Sequence, residues 1–278
     1  HQLGSDSIKA KNIILFVGDG MSLPTVAAAR IYEGQLHQQS GEENQLSFEK
    51  FPYTAFSKTY NTDSQTPDSA GTMTAMITGA KTRMGFLSVN QIPDRGDCAA
   101  SLKNPLISAV TLAELAGLAT GVVTTTRITH ATPAATYAHS PERNWESDAD
   151  MPDTAKQQGC KDIAQQLIEY SAGNGLEVVM GGGLNKFLPK GSYPNYNNTK
   201  GSRADGRNLI AEWTTKNPSA TFVSTGSQLA KINIADTKKI YGLFNGDHLN
   251  FDYDRVTEKL DEPSLADMTK TAINLLSK

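Results

Sequence analysis

Short apolar, β-branched runs alternate with helix-like segments along most of this 278-residue chain, and this alternation constrains the fold more than any other feature. The predicted strands are 12–17, 54–60, 119–125, 177–181, 221–223 and 239–243. The predicted helices are 22–32, 69–78, 108–117, 155–171, 205–216 and 264–277. Because strands that alternate with helices form parallel sheets covered on both faces, the sequence predicts an α/β fold. The polar segment 186–203 is typical of a surface loop.

The segment from Thr66 to Thr72 places a hydroxyl group at the start of a predicted helix. Asp68 is a typical N-cap residue, and Ser69 follows it directly. A serine at this position faces unpaired backbone N–H groups and the positive end of the helix dipole, which favour an anion beside it. The alternative is an ordinary helix cap, which is the commoner meaning of such a segment taken alone. Ser69 is therefore a candidate nucleophile only if suitable partners exist elsewhere in the chain.

Asp19 is the first such partner. The run Asn12–Val17 is continuously apolar and predicts a strand buried on both faces, which ends in Gly18, Asp19 and Gly20. The carboxyl end of a central strand opens on the crevice where α/β sheets bind ligands. The alternative is a turn aspartate that caps the following helix.

Further partners follow the predicted strand 119–125. His130 and Thr132 are separated by one residue, so in an extended segment their side chains point to the same side. An imidazole and a hydroxyl beside a carboxylate suit a metal site. Arg143 offers a planar fork that can hold two phosphate oxygens. Alone, His130 would be a hydrogen-bonded structural histidine and Arg143 a surface cation.

Four separated motifs together resemble the alkaline phosphatase family. They are Val17–Met21, Pro67–Thr72, Thr124–Ala134 and Arg143–Asp150, in the family's order and at matching spacings. The resemblance covers the chain from Lys11 to Ser277. It is stronger to the branch that contains animal and marine bacterial enzymes, because position 130 is His where the enteric bacterial type carries Asp. It implies a three-layer α/β/α sandwich in which residues 1–278 form a single domain.

The resemblance also implies an activity, the hydrolysis of phosphate monoesters at alkaline pH through a phosphoserine intermediate. Ser69 would be the nucleophile, Arg143 would bind the phosphoryl oxygens, and Asp68 would orient Arg143. These roles agree with phosphoryl transfer, which depends on positioning and on stabilising charge at the equatorial oxygens.

The same resemblance implies two zinc ions and one magnesium ion. Asp19 would bridge one zinc and the magnesium, and Ser69 would bind zinc. Thr132 would be a magnesium ligand, with His130 beside it at that site. A calcium site with the family's full set of acids is not predicted, because Asn245 and Ser192 replace two of them, while Asp261 and Phe244 match.

The chain resembles only the N-terminal portion of these enzymes, so the metal-binding C-terminal half of the family is expected to be missing. Its five histidines include no pair with the family's remaining zinc-ligand spacing. Asp247 and His248 lie in a loop whose counterpart in the family is not a zinc ligand. Residues 1–278 alone are therefore not expected to be active.

Composition and charge restrict the classes of binding partner and the cellular location that we expect. A net charge of −3 gives no basic surface for nucleic acid, and no run of about twenty apolar residues predicts a membrane span. The expected partners are small phosphate monoesters and inorganic phosphate, and the resemblance implies a homodimer. The start at His1, without an initiator Met or an apolar signal segment, suits a processed protein of the periplasm or the extracellular space.

Cys98 and Cys160 are the only cysteines. The resemblance implies that they form a disulfide, as expected outside the cytoplasm; the alternative is two free buried thiols. Asn197 begins an Asn-Asn-Thr glycosylation sequon, which has meaning only in a eukaryotic source.

Three alternative functions stay open. A phosphodiesterase of the same superfamily would usually present threonine as its nucleophile, and a sulfatase would need a Cys/Ser-x-Pro-x-Arg motif that the sequence lacks. An inactive fragment or binding module is the third alternative. Its metal content would distinguish it, because an intact site retains about two zinc ions per chain.

Overall fold

A computed structural model describes residues 10–196 and 198–278 of the chain. The chain divides into two compact units, residues 1–58 and 59–278, which are described separately below. The start of the chain at His1 and the sequon residue Asn197 lie outside the described residues. The single domain predicted for residues 1–278 remains a prediction.

Residues 10–58 are organised around one long helix, α1 (Leu23–Leu36). The helix begins where predicted, because the Ser22 side chain accepts a hydrogen bond from the Thr25 N–H at 3.4 Å. It continues four residues beyond the predicted end at residue 32. Arg30 on α1 forms a forked ion pair with Glu49, which lies in the 3₁₀ turn Ser47–Lys50. This pair fixes the returning chain against the helix.

The two strands predicted in the N-terminal part of the chain are absent, and both predictions are wrong. Residues 12–17 and 54–60 have no regular structure, and all of them are exposed. In the run that was predicted to be buried, Ile13 is 88% exposed and Phe16 is 69% exposed. A strand needs a hydrogen-bonded neighbour, and the four-stranded sheet of the described chain includes neither segment.

Residues 59–278 contain the sheet. Its strands are β1 (Gly121–Arg127), β2 (Val178–Gly182), β5 (Ala220–Val223) and β6 (Lys239–Leu243). All neighbouring pairs are parallel, in the order β1–β2–β6–β5. The predicted parallel sheet is therefore confirmed, and each of these four strands lies within two residues of its predicted position.

Helices connect and cover these strands. They are α2 (Ser69–Thr78), α3 (Cys98–Ser101), α4 (Ala109–Leu115), α5 (Ala131–Ala134), α6 (Asp153–Gln157), α7 (Ile163–Ile168), α8 (Leu209–Lys216), α9 (Gly226–Ala230), α10 (Asp252–Thr257) and α11 (Leu265–Leu276). Successive side chains of β2 alternate between the two faces of the sheet. Val179 packs in a core that includes α7 and α8, and Val178 packs in a second core that includes α11. The unit is therefore the predicted sandwich of three layers.

The helix predicted at 155–171 is interrupted, which corrects that prediction. It forms as two short helices, α6 and α7, with Gly159 at a φ of +92° between them. The Asp162 side chain then accepts a hydrogen bond from the Gln165 N–H at 2.8 Å and starts α7. The glycine permits the left-handed turn, and the aspartate supplies the new cap.

The polar segment 186–203 is more ordered than predicted. It contains an antiparallel hairpin formed by β3 (Gly191–Tyr193) and β4 (Thr199–Gly201). Arg203 at its end has a fully buried side chain that pairs with Asp162 at 2.9 Å and with Asp205 at 2.6 Å. Because a buried guanidinium without partners would be costly, these carboxylates fix the end of the segment against α7.

The predicted disulfide between Cys98 and Cys160 is present and links α3 to the turn between α6 and α7. It lies in a small core with Trp145, Met151 and Ala155. Among the described residues, no helix is both long and apolar enough to cross a bilayer.

Candidate active site

Ser69 is the first residue of α2, as the sequence predicts. Asp68 caps this helix, and its Oδ1 accepts a hydrogen bond from the Gly71 N–H at 3.0 Å. The helix begins in a crowded place, because a Cβ on Gly71 would lie 2.6 Å from Asn61 Oδ1. Asn61 in turn donates to Asp68 Oδ1 at 2.9 Å. The local sequence thus holds Ser69 half-buried at a rigid helix start.

Asp68 also contacts Arg143, which lies 75 residues further along the chain. Arg143 Nη1 donates to Asp68 Oδ2 at 3.0 Å, and the Gly85 N–H donates to the same oxygen at 2.9 Å. The Gly85 carbonyl accepts from the Arg143 N–H at 2.9 Å. One carboxylate therefore caps the helix of Ser69 and orients the guanidinium of Arg143.

The charge on Asp68 is stabilised in this arrangement. Burial opposes ionisation, but the hydrogen bonds from the Gly71 N–H, Arg143 and Asn61 outweigh it, so the pKa of Asp68 is lowered. The carboxylate is therefore ionised at neutral and alkaline pH and keeps its hold on Arg143.

His130 and Thr132 lie just after β1, at the carboxyl end of the strand. His130 is the residue before α5, and Thr132 is in that short helix, which packs against α2. His130 Nε2 lies 3.3 Å from Arg143 Nη2. Because arginine only donates, this contact requires Nε2 to accept and the ring to be neutral. Burial and the nearby Arg143 charge lower the pKa of His130, which favours that form.

The structure thus brings three of the predicted residues, Asp68, Arg143 and His130, into one chain of contacts. Ser69 follows Asp68 at the start of α2, and Thr132 lies on α5. Asp19 belongs to the first compact unit, where it lies in an exposed turn after residues 12–17 and not at the end of a strand. Its expected place beside Ser69 remains a prediction.

The donor types suit metal ions, but the set is incomplete. Hydroxyl and carboxylate oxygens suit magnesium, and zinc accepts imidazole and carboxylate groups. The described part of the chain contains no cluster of three or more His, Cys, Asp or Glu residues that could hold a metal.

The sequence did not reveal a second group of residues beside the first. Arg127, the last residue of β1, donates through Nε and Nη2 to Glu146 at 2.8 and 2.7 Å. Its Nη1 donates to Asp247 at 2.5 Å and lies 2.8 Å from His248 Nε2. Arg127 and Asp247 are 120 residues apart, so no local pattern could have predicted the contact.

Comparison with known proteins agrees with the motifs. The sequence model of the alkaline phosphatases matches residues 10–278, which is nearly the whole chain. The chain belongs to the alkaline phosphatase family. Among solved structures, it resembles the cold-active alkaline phosphatase of Shewanella sp., with a TM-score of 0.67 and 26% identity, over 94% of this chain and 52% of that one.

Two curated relatives of this chain are alkaline phosphatases from animals. It is 44% identical to the alkaline phosphatase of Gadus morhua, over 97% of this chain and 57% of that protein. It is 42% identical to the tissue-nonspecific isozyme of Gallus gallus, over 97% of this chain and 52% of that protein. The chain thus spans about half the length of the curated relatives it matches.

A further similar structure carries a metal. It is a His-to-Asp mutant of the TAB5 alkaline phosphatase with Mg bound in its M3 site, 25% identical and with a TM-score of 0.58. The match covers 85% of this chain and 54% of that one.

Proposed function

We propose that the full-length protein containing this chain hydrolyses phosphate monoesters, with Ser69 as the nucleophile that forms a phosphoserine intermediate. The observation that carries the proposal is the Asp68 carboxylate, which caps the helix of Ser69 and pairs with Arg143 at 3.0 Å. The Asp68 carboxylate would thereby fix the position of the phosphate-binding cation relative to the nucleophile. Membership of the alkaline phosphatase family supports the reaction class.

Ser69 meets the requirements of a phosphate-accepting nucleophile. It stands at the N-terminus of a ten-residue helix, where unpaired N–H groups and the helix dipole stabilise negative charge. The small neighbours Ala70 and Gly71 are buried, so the helix start is fixed by packing. A fixed nucleophile reduces the entropy that must be lost on reaching the transition state.

Arg143 would bind the transferred phosphoryl group. Its Nη1 donates to Asp68 and its Nη2 faces His130, and the remaining N–H groups of the fork would bind phosphate oxygens. These donors would stabilise the charge that spreads over the equatorial oxygens in the transition state. Asp68 would act indirectly, because it accepts a hydrogen bond from Arg143 and so orients the guanidinium.

We further propose that Asp19, Ser69, His130 and Thr132 contribute to a centre of two zinc ions and one magnesium ion. Bound metals would stabilise the attacking and leaving oxygens and would favour the ionised form of the serine. His130 would lie beside the magnesium ion, and its neutral form, which the contact with Arg143 requires, adds no positive charge there. The Mg in the M3 site of the TAB5 mutant supports a magnesium ion in this family.

The same proposal extends to the protein's setting. The disulfide between Cys98 and Cys160 favours a periplasmic or extracellular location, where disulfides persist. A homodimer is the assembly that we propose, from the family resemblance alone.

The test is chemical trapping on the full-length protein. Labelled phosphate added at acid pH should be recovered on Ser69 after peptide mapping, and Ser69→Ala should abolish both the label and turnover of a chromogenic phosphate monoester. The matched control is Ser64→Ala, since the Ser64 hydroxyl donates to the Thr66 carbonyl at 2.7 Å in the same loop. Label on another residue would refute the assignment.

A second arm uses residues 1–278 alone. With an incomplete donor set, this chain should neither retain zinc nor hydrolyse the ester after reconstitution. Turnover by the short chain, purified in the presence of chelator and then supplied with zinc, would contradict this view of the site.

A further inference from the structure

The loop that follows β6 returns to the carboxyl ends of β1 and β2. The Gly183 N–H donates to the Asp247 carbonyl at 2.8 Å, and the Leu249 N–H donates to the Thr125 carbonyl at 2.9 Å. The approach is close, because a Cβ on Gly182 would lie 2.0 Å from the Asp247 carbonyl oxygen. The backbone on both sides of His248 is therefore fixed against the end of the sheet from which His130 emerges.

The His248 side chain is fixed as well. Both of its ring nitrogens face N–H groups of Arg127: Nδ1 lies 3.1 Å from the backbone nitrogen, and Nε2 lies 2.8 Å from Nη1. A neutral ring accepts from one of the two, and either bond ties the ring to the last residue of β1. Arg127 itself is held by the forked pair with Glu146 and by Asp247. Because its guanidinium pairs with both Glu146 and Asp247, we assign Arg127 a structural role.

The His248 ring meets the His130 ring edge to face, with centroids 5.3 Å apart and planes at 74°. The His130 ring also contacts Arg143, with 3.3 Å between His130 Nε2 and Arg143 Nη2. A chain of contacts therefore runs from the β1 terminus through His248 and His130 to the guanidinium that we assign to phosphate.

We propose that His248 is a positioning residue for Arg143 and acts through the ring of His130. The proposal rests on the phosphate-binding role given to Arg143 above. His248 limits the rotation of the His130 ring, and that ring in turn supports Arg143 at Nη2, whereas Asp68 holds Nη1. The guanidinium then stays in one orientation, which preserves its forked contact with phosphate oxygens.

The experiment compares two variants of the full-length, metal-loaded protein. His248→Ala removes the ring, and His248→Phe keeps an aromatic ring beside His130 but lacks the acceptor for Arg127. The readouts are the affinity for inorganic phosphate by calorimetry, and the Michaelis constant for a phosphate monoester. His248→Ala should weaken phosphate binding and raise KM about threefold to tenfold, with a smaller change in kcat, while His248→Phe should stay within about twofold of the wild type.

Two control variants give the largest and the smallest change expected in phosphate affinity. Arg143→Lys should weaken phosphate binding more than His248→Ala does, about tenfold to a hundredfold, because it removes the fork itself. His139→Ala should leave the affinity unchanged, since the His139 ring contacts the Leu106 carbonyl at 2.9 Å instead of these residues. In metal-free protein, amide hydrogen exchange of residues 127–132 should be faster in His248→Ala than in the wild type.

The outcomes separate this proposal from the proposed function. Phosphate affinity is measured without turnover, so a wild type that binds phosphate but hydrolyses no monoester would refute only the function. If His248→Ala matches the wild type in phosphate affinity while Arg143→Lys does not, the positioning role is refuted. Equal losses in His248→Ala and His248→Phe would refute the ring contact as its cause.

Discussion

The run at residues 12–17 and strand β2 are both apolar and β-branched, yet they have opposite environments. Every residue of Val178–Gly182 is buried, whereas every residue of 12–17 is exposed. β2 lies between β1 and β6, and helices cover both of its faces. The earlier run has no strand beside it among the described residues.

The difference shows that an apolar run alone does not produce a buried strand. A strand in a sheet satisfies its N–H and C=O groups through neighbours, and its side chains gain about 25 cal/mol per Å² only where other groups exclude water. Both conditions come from distant segments. The three predictions below test this contrast between residues 59–278 and residues 10–58.

The largest effect is expected at the disulfide of the second unit. Replacing Cys98 and Cys160 by serine should lower the free energy of unfolding by about 4 kcal/mol, because the bond closes a long loop, with a sequence separation of 62. Chemical denaturation of residues 59–278 under oxidising and reducing conditions would measure it. Two titratable thiols in unreduced, denatured protein would show that the bond does not form in solution.

A matched pair of valines gives the direct comparison of the two runs. Val179→Ala in β2, where the side chain is 0% exposed, should cost about 2 kcal/mol in the free energy of unfolding. Val17→Ala, at a side chain that is 36% exposed, should change it by less than about 0.5 kcal/mol. Urea denaturation of residues 1–278 provides the measurement. Equal losses would mean that the run at 12–17 is buried in solution and would remove the contrast.

The smallest effect is expected from the Arg127 pair at the end of the sheet. Burial opposes the charge on Glu146, but hydrogen bonds from Arg127 and Thr129 outweigh it and lower its pKa. A lowered pKa stabilises the fold fully above the unfolded pKa of about 4.3, and this contribution is lost as the pH falls through the folded pKa. Glu146→Gln should therefore cost about 1 kcal/mol at pH 7 and progressively less in acid.

Urea denaturation over a pH series would follow this difference. The matched control is Glu142→Gln, because Glu142 forms a similar forked pair with the more exposed Arg95. A gap between wild type and Glu146→Gln that stays constant, or widens, as the pH falls would contradict the assigned sign.

Helix starts and buried strands in the second unit could be predicted because their signals are local. Helix α2 begins at Ser69 and ends before Gly79, which has a φ of +76°, and both limits follow from Asp68 and Gly79 themselves. Strand β6 (Lys239–Leu243) coincides with its prediction because a short apolar run between polar turns is typical of a buried strand. The break between α6 and α7 had a local signal too, in Gly159 and Asp162, but the helical pattern was extended through it.

The candidate site likewise contains residues that the sequence predicted and residues that it did not predict. Residue types and order sufficed to identify Ser69, Asp68, His130 and Arg143 as candidates, and the structure joins Asp68, Arg143 and His130 by contacts. Arg127 and His248 were not predicted, because their contact joins the end of β1 to a loop more than a hundred residues later. Such a contact depends on which strands become neighbours in the sheet. The pairing of β2 with β6 cannot be predicted from the sequence of either strand.

Local sequence was sufficient to predict the α/β class, the family, the caps of helices such as α2, and the residues that we assign to phosphoryl transfer. These depend on backbone preferences and side-chain types, which act over a few residues. Three features became visible only in the folded chain. Residues 178–182 are buried while residues 12–17 are exposed, carboxylates surround Arg203, and His248 lies against His130. Burial and side-chain contact depend on which distant segments meet, and no property of one segment fixes that choice.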